Sequence, residues 1–274
     1  MGDRELPRVE DGLAPDRPIT REWGAPDGRP LLFWPGLNPW GSLQLVEVGP
    51  LLAERGFRVI AIAAPGAGET PPLDDADAYL PSRLAQVVLD VADSAGCERF
   101  VFMGHSWGGT IGVHLAALHP ERVESLILLD AGYSDVESAE SREELVRRFE
   151  ADQAGFAFES WEAFFAFARE RVREWRPALE PRYRAGMVER DGKIVARASA
   201  RAAAWAWYGI TAEPASSTHE RLAVPVLLLL AADADPEDFA ERVPRAVVER
   251  VDSGHDVVAD VPEETARLVG EWLG

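Results

Sequence analysis

Residues 100–109 read Phe-Val-Phe-Met-Gly-His-Ser-Trp-Gly-Gly, and how they are read decides the fold. Phe100 to Met103 form a short, wholly apolar run of the length of a buried strand. Gly104-His105-Ser106-Trp107-Gly108 follows at once and fits the pattern G-x-S-x-G. Residues 110–118 then read as helix, ending at His119-Pro120. A serine between a strand and a helix sits on a sharp turn in a strained backbone conformation. Glycines at 104 and 108 remove side chains that would collide with neighbouring backbone. The hydroxyl then stands above the sheet edge, near the positive end of the helix. Ser106 is the candidate nucleophile.

Outward from this turn, short Val/Ile/Leu-rich runs alternate with helical patterns. Strands are expected at residues 31–34, 57–64, 123–129, 226–230 and 247–251. Helices are expected at 45–55, stopped by Gly56, and at 79–95, where Leu80, Leu84, Val87, Val88 and Val91 keep helical spacing before Gly96. Further helices fall at 237–243 and 262–273. Such alternation predicts a parallel sheet covered by helices on both faces. A first strand pair is expected at 7–10 and 19–23. Residues 134–218 break the pattern. They carry many charged and aromatic residues and no convincing strand, so they read as a mainly helical insertion. The chain thus divides into a core at 1–133, an insertion or cap at 134–218, and the rest of the core at 219–274.

Composition limits the remaining choices. A hydrophobic fraction of 47% supports a sizeable core. No apolar run approaches the roughly 18 residues that span a bilayer, and the N-terminal stretch has no apolar core of a signal peptide. The cytoplasm is therefore the expected location. Cys97 is the single cysteine, so no disulfide can form within the chain. A net charge of −19 argues against nucleic acid and anionic lipid surfaces as partners. The acidic run Asp233, Asp235, Glu237 and Asp238 lacks the glycine and the terminal glutamate of a calcium loop, so no metal is expected there.

Five matching stretches, in order, are Phe33-Trp-Pro-Gly36, Pro65-Gly-Ala-Gly68, Gly104 to Gly109, His119-Pro-Glu-Arg-Val123 and Gly254-His255. Through them the chain resembles the α/β-hydrolase superfamily over about residues 31–130 and 224–273. The resemblance implies a mostly parallel eight-stranded sheet with helices on both faces, a helical cap after the sixth strand, and a serine–acid–histidine triad. It implies no substrate, because this fold hosts many chemistries.

Of the five histidines, His255 follows the strand at 247–251 and precedes the last helix. It therefore lies at the carboxyl edge of the sheet, where ligands bind in open α/β folds. Only histidine titrates near neutrality without help, which suits a proton shuttle. Two aspartates compete to orient it. Asp130 ends the sixth strand; Asp235 follows the seventh, the commoner place in the family. The short interval from Asp235 to His255 tilts the choice towards Asp130. The neighbouring Asp256 reads as a cap or a solvent-facing residue. Backbone N–H groups of Trp107 and Leu37 are the expected oxyanion donors, since Pro35 has none where the family commonly has histidine. Trp34, Asn38, Trp161, Trp205 and Trp207 are candidates for the substrate pocket.

These residues point to hydrolysis of a carboxylic ester, lactone or thioester of a fairly bulky apolar small molecule through an acyl-enzyme, without metal or organic cofactor. Two rivals stay open: other chemistry by the same residues (C–C hydrolase, lyase or perhydrolase-like), and a slow-turnover binding protein. An aspartate nucleophile, as in haloalkane dehalogenases and epoxide hydrolases, is argued against by Ser106.

Overall fold

The computed structural model describes residues 8–9, 18–68, 70–236 and 238–274. The chain opens with β1 (Arg8–Val9) and β2 (Thr20–Trp23), continues through β3 (Arg29–Trp34), α1 (Val48–Ala53), β4 (Phe57–Ile62) and α2 (Pro81–Ser94), and reaches β5 (Phe100–His105), α3 (Trp107–Leu118) and β6 (Val123–Leu129). The segment after β6 carries α4 (Arg142–Gly155), β7 (Ala157–Phe158), α5 (Trp161–Arg169), α6 (Leu179–Ala185), β8 (Met187–Arg190), β9 (Lys193–Ala196) and α7 (Ala200–Ala212). The core resumes with β10 (Val226–Leu230), α8 (Phe239–Arg242), β11 (Ala246–Arg250), α9 (Val257–Asp260) and α10 (Pro262–Leu273).

The main sheet runs β1-β2-β4-β3-β5-β6-β10-β11. From β4 to β11 every pairing is parallel, while β2 joins β4 antiparallel and β1 joins β2 antiparallel. Eight strands are counted with β1, a two-residue edge pairing; seven longer strands form the body. Of the expected first strand, Pro7 and Glu10 lie outside the described residues.

Period-two alternation explains why the central strands are apolar throughout. Leu32, Trp34, Ile60, Phe100, Phe102, Leu126, Leu128, Val226 and Leu228 point to one face. Leu31, Phe33, Val59, Val101, Met103, Ile127, Leu129, Leu227 and Leu229 point to the other. The first face is covered by α2, α3 and α8 through Leu84, Val88, Ile111, Leu115 and Phe239. The second is covered by α1, α9 and α10 through Val48, Leu52, Val258, Ala266 and Val269. Both faces being dry, polar residues are nearly excluded from these strands.

The insertion departs from expectation in one respect. It contains a three-stranded antiparallel sheet, β7-β9-β8. Its hairpin turns at Asp191-Gly192, with φ of 51° and 75°. Left-handed φ at both turn residues matches the twist of the flanking strands, and Asp-Gly is the sequence signal for it. The insertion is also split between two cores. Ala202, Ala206 and Ile210 of α7 join the core of the main sheet. Phe164, Phe165, Leu179, Tyr183, Met187 and Ile194 form a separate small core, against which Trp161 and Trp175 pack.

Candidate active site

Ser106 has φ 52° and ψ −119° between the end of β5 and the start of α3. A Cβ at Gly104 would lie 2.2 Å from the Gly108 carbonyl oxygen, and one at Gly108 would lie 2.2 Å from the Trp34 carbonyl oxygen. The two glycines are required because backbone meets backbone at both places. The turn leaves Ser106 half-buried at the head of α3, with the Trp107 N–H in the first turn of that helix.

Asp130 follows directly on β6 and also has a left-handed φ, 46°. That conformation, rare for a non-glycine residue, turns the carboxylate across the carboxyl edge of the sheet. Its Oδ1 accepts the Ala231 N–H at 3.0 Å, and its Oδ2 lies 2.6 Å from His255 Nδ1. Burial would raise the Asp130 pKa, but the hydrogen bonds from His255 and Ala231 outweigh it and hold the carboxyl below the usual range. The same Asp130 hydrogen bond raises the His255 pKa above its ordinary value, against partial desolvation. With Nδ1 donating to Asp130, Nε2 is the ring nitrogen left to act as a base. Asp235 lies in the loop after β10 and does not line the cavity that holds Ser106 and His255.

A second layer of buried polar groups ties these loops together. Gln44 Oε1 accepts the Gly36 N–H at 2.9 Å and the Asn38 amide at 2.9 Å. The Gly36 N–H can only donate, so Gln44 Nε2 faces the other way. It donates to His105 Nδ1 at 2.8 Å and to Asp256 Oδ1 at 3.2 Å. His105 Nδ1 is therefore an acceptor, and Nε2–H donates to the His255 carbonyl at 2.7 Å. Burial pushes the His105 pKa down, in keeping with that neutral tautomer. Asp256 completes the set by pairing with Arg182 of α6, whose side chain is 1% exposed. Asp256 stands at the N-cap position of α9, as its sequence position suggested, but makes no side-chain cap bond; its carboxylate is an anchor to the insertion instead. Gln44, His105 and Arg182 were likewise not assigned this role from sequence. Gln44 alone carried a signal, a polar residue inside the apolar run Leu43-Gln44-Leu45; His105 sits within the glycine-rich turn and Arg182 among other charged residues.

Ser106, His255, Asp130, Leu37, Asn38, Trp107 and Trp207 line one cavity of about 420 Å³. Gly36 has spent its N–H on Gln44, which leaves Leu37 as the next donor along the turn. Asn38 faces the cavity, but its amide is committed to the turn. Nδ2 donates to the Gly36 carbonyl and Gln44, and Oδ1 accepts the Trp40 and Gly41 N–H groups. Three other candidates are elsewhere. Trp34 is wholly buried, edge-on to Trp107 at 5.5 Å. Trp161 packs on Phe164 and Phe165 in the small core of the insertion, and Trp205 packs on Tyr79.

A family model described as the alpha/beta hydrolase fold matches residues 29–260. The chain belongs to that family. Among curated proteins, it is similar to a serine hydrolase-like protein of Danio rerio, 27% identical over 92% of this chain and 83% of the relative. It is 38% identical to a putative non-heme haloperoxidase of Mycobacterium phage D29 over 38% of this chain, and 36% identical to the putative carbamate hydrolase RutD of Variovorax paradoxus over 39%. These last two matches span 36% and 40% of the relatives' own lengths. Among solved structures, the thioesterase domain from the curacin biosynthetic pathway superposes with a TM-score of 0.82 at 17% identity, covering 97% of this chain and 99% of that one. A likeness at that distance shows the fold alone. Among the described residues no helix is long and apolar enough to cross a membrane.

Proposed function

We propose that the protein is a serine hydrolase that cleaves a carboxylic ester, lactone or thioester of a small apolar molecule, with residues 134–218 as a lid over the site. The observation that carries this reading is the His255–Asp130 hydrogen bond of 2.6 Å in the cavity that Ser106 also lines. Ser106 Oγ attacks the carbonyl carbon as its proton passes to His255 Nε2. Asp130 holds the imidazole tautomer and stabilises the imidazolium. The Leu37 and Trp107 N–H groups receive the developing oxyanion, each donor contributing about 3 kcal/mol to the transition state. The tetrahedral intermediate collapses, and the leaving alcohol or thiol takes the proton from His255. Water repeats the sequence on the acyl-enzyme, which releases the carboxylic acid and restores Ser106.

Labelling with a fluorophosphonate tests this directly. Intact mass should rise by one adduct on the wild type and stay unchanged on Ser106→Ala. A folded wild type that takes up neither a bulky nor a small phosphonate would overturn the reading in favour of a binding protein. The similarity to the phage haloperoxidase favours one second reading, in which hydrogen peroxide replaces water against the same acyl-enzyme. Peracid in the product mixture would support it.

A further inference from the structure

We infer that the acyl arm of the substrate lies in a second chamber beyond the oxyanion turn, and that this chamber selects an uncharged alkyl chain. The inference rests on Ser106 being the nucleophile. The chamber has a volume of about 370 Å³ and shares Leu37 and Trp107 with the cavity around Ser106. The two spaces therefore meet where the carbonyl oxygen would be held. His255 lines only the first of them. The leaving group must sit near His255 to receive its proton, so the alcohol side occupies the cavity of about 420 Å³. The acyl side then runs past Leu37 and Trp107 into the chamber.

The chamber wall sets the chemistry of that arm. The run Ala196-Arg-Ala-Ser-Ala-Arg-Ala-Ala203 passes along it, presenting Ala196, Ala198, Ala200, Ala202 and Ala203. One-carbon side chains leave room that larger residues would fill, and they offer no hydrogen bonds. Phe149 and Phe156 line the same space. The polar groups on the wall are engaged with the protein itself. Gln153 donates to the Ala198 carbonyl at 2.6 Å, Ser199 Oγ accepts the Ala202 N–H at 3.2 Å, and the Asn38 amide is held by its turn. Asp152 is exposed and lines the same space. With a net charge of −19, its carboxylate disfavours a chain that ends in an anion. A saturated hydrocarbon fits this lining; a sugar, a peptide or a dicarboxylate half-ester does not.

Two ester series separate the arms: p-nitrophenyl esters with acyl chains of two to twelve carbons, and acetates of alcohols of increasing length. kcat/KM should rise about fourfold per acyl methylene until the chamber is full. In Ala203→Phe and in Ala198→Leu, each checked for folding by circular dichroism, the octanoate-to-acetate ratio should fall at least tenfold, with the alcohol-length ratio moving less than threefold. A wild-type profile flat from two to eight acyl carbons would overturn the inference, as would an acyl-length profile that survives in both folded variants. Calorimetry of 2-decanone on Ser106→Ala, with and without Ala203→Phe, tells the two failures apart. Binding abolished by Ala203→Phe, in a protein that hydrolyses no ester, keeps the chamber and discards the hydrolase reading. No binding together with no hydrolysis discards both.

Discussion

At the residue scale, the site depends on two non-glycine residues held at positive φ, Ser106 and Asp130. Each pays a local conformational cost of about 1–3 kcal/mol, which the packed β5–α3 and β6–β10 junctions offset. Asp130→Asn should retain the fold and lower kcat by about 10⁴-fold, because a neutral amide stabilises the wrong imidazole tautomer. Asp235→Asn should change kcat by less than about threefold. Steady-state assay of both variants checks the choice between them. The pH profile gives a second handle. The proposed mechanism needs neutral His255, whose pKa is raised by Asp130, so kcat/KM should climb through a midpoint above the ordinary 6.5. In Asp130→Asn that midpoint should move down, and an unmoved midpoint would remove Asp130 from the reading.

At the scale of elements, one buried glutamine fastens the turn after β3, the end of β5 and the loop before α9. Arg182 extends that fastening to α6 of the insertion. Replacing Arg182 by Met leaves Asp256 as a partly buried carboxylate without its cation, at a cost of about 3 kcal/mol. Chemical denaturation should show that loss. Because Asp256 is adjacent to His255, kcat should fall with it, whereas a surface pair such as Arg267–Glu271 should give less than about 1 kcal/mol and no kinetic change. A stability loss with kcat unchanged would mean that Arg182 is only structural. The elbow behaves similarly. Gly108→Ala would bring a methyl group 2.2 Å from the Trp34 carbonyl, so β3 and α3 must separate and soluble expression should collapse.

At the scale of the whole molecule, three histidines are buried and kept neutral. Burial lowers the pKa of His105, His114 and His219, each of which meets a backbone carbonyl. Below about pH 6.5 the unfolded chain takes up protons that the native state refuses, so stability falls as pH falls. His255 acts in the opposite sense. Its raised pKa contributes stability below 6.5, and that contribution is lost as pH rises through the native value. Three groups oppose one, and the expected result is a Tm that drops between pH 7 and pH 5. A scanning calorimetry series at constant ionic strength would show it, and a flat series would contradict it. The two-faced sheet sets the response to core mutation. Phe102 is fully buried, and Phe102→Ala should cost about 3–5 kcal/mol through lost contacts and the cavity left behind.

The linear sequence determined the sheet and the sharp turn at Ser106 because both are written in local patterns. β10 and α10 occupy the residues expected from apolar runs and spacing, and the glycines about Ser106 encode a turn that few other residues permit. The small sheet of the insertion was signalled only by Asp191-Gly192, since β7 to β9 are two to four residues long and carry little periodicity. Long-range pairing was legible only in part, through the short interval from Asp235 to His255 that tilted the choice towards Asp130. That Asp130 meets His255 across 125 positions follows from β6, β10 and β11 lying side by side. That Asp256 is buried against Arg182, and that Trp161 and Trp205 stay away from the cavity, follows from how the insertion divides its apolar residues between two cores. Hydrophobic periodicity tells each residue which side of its own element is dry. Only the packing of elements decides which charged and aromatic groups then face one another.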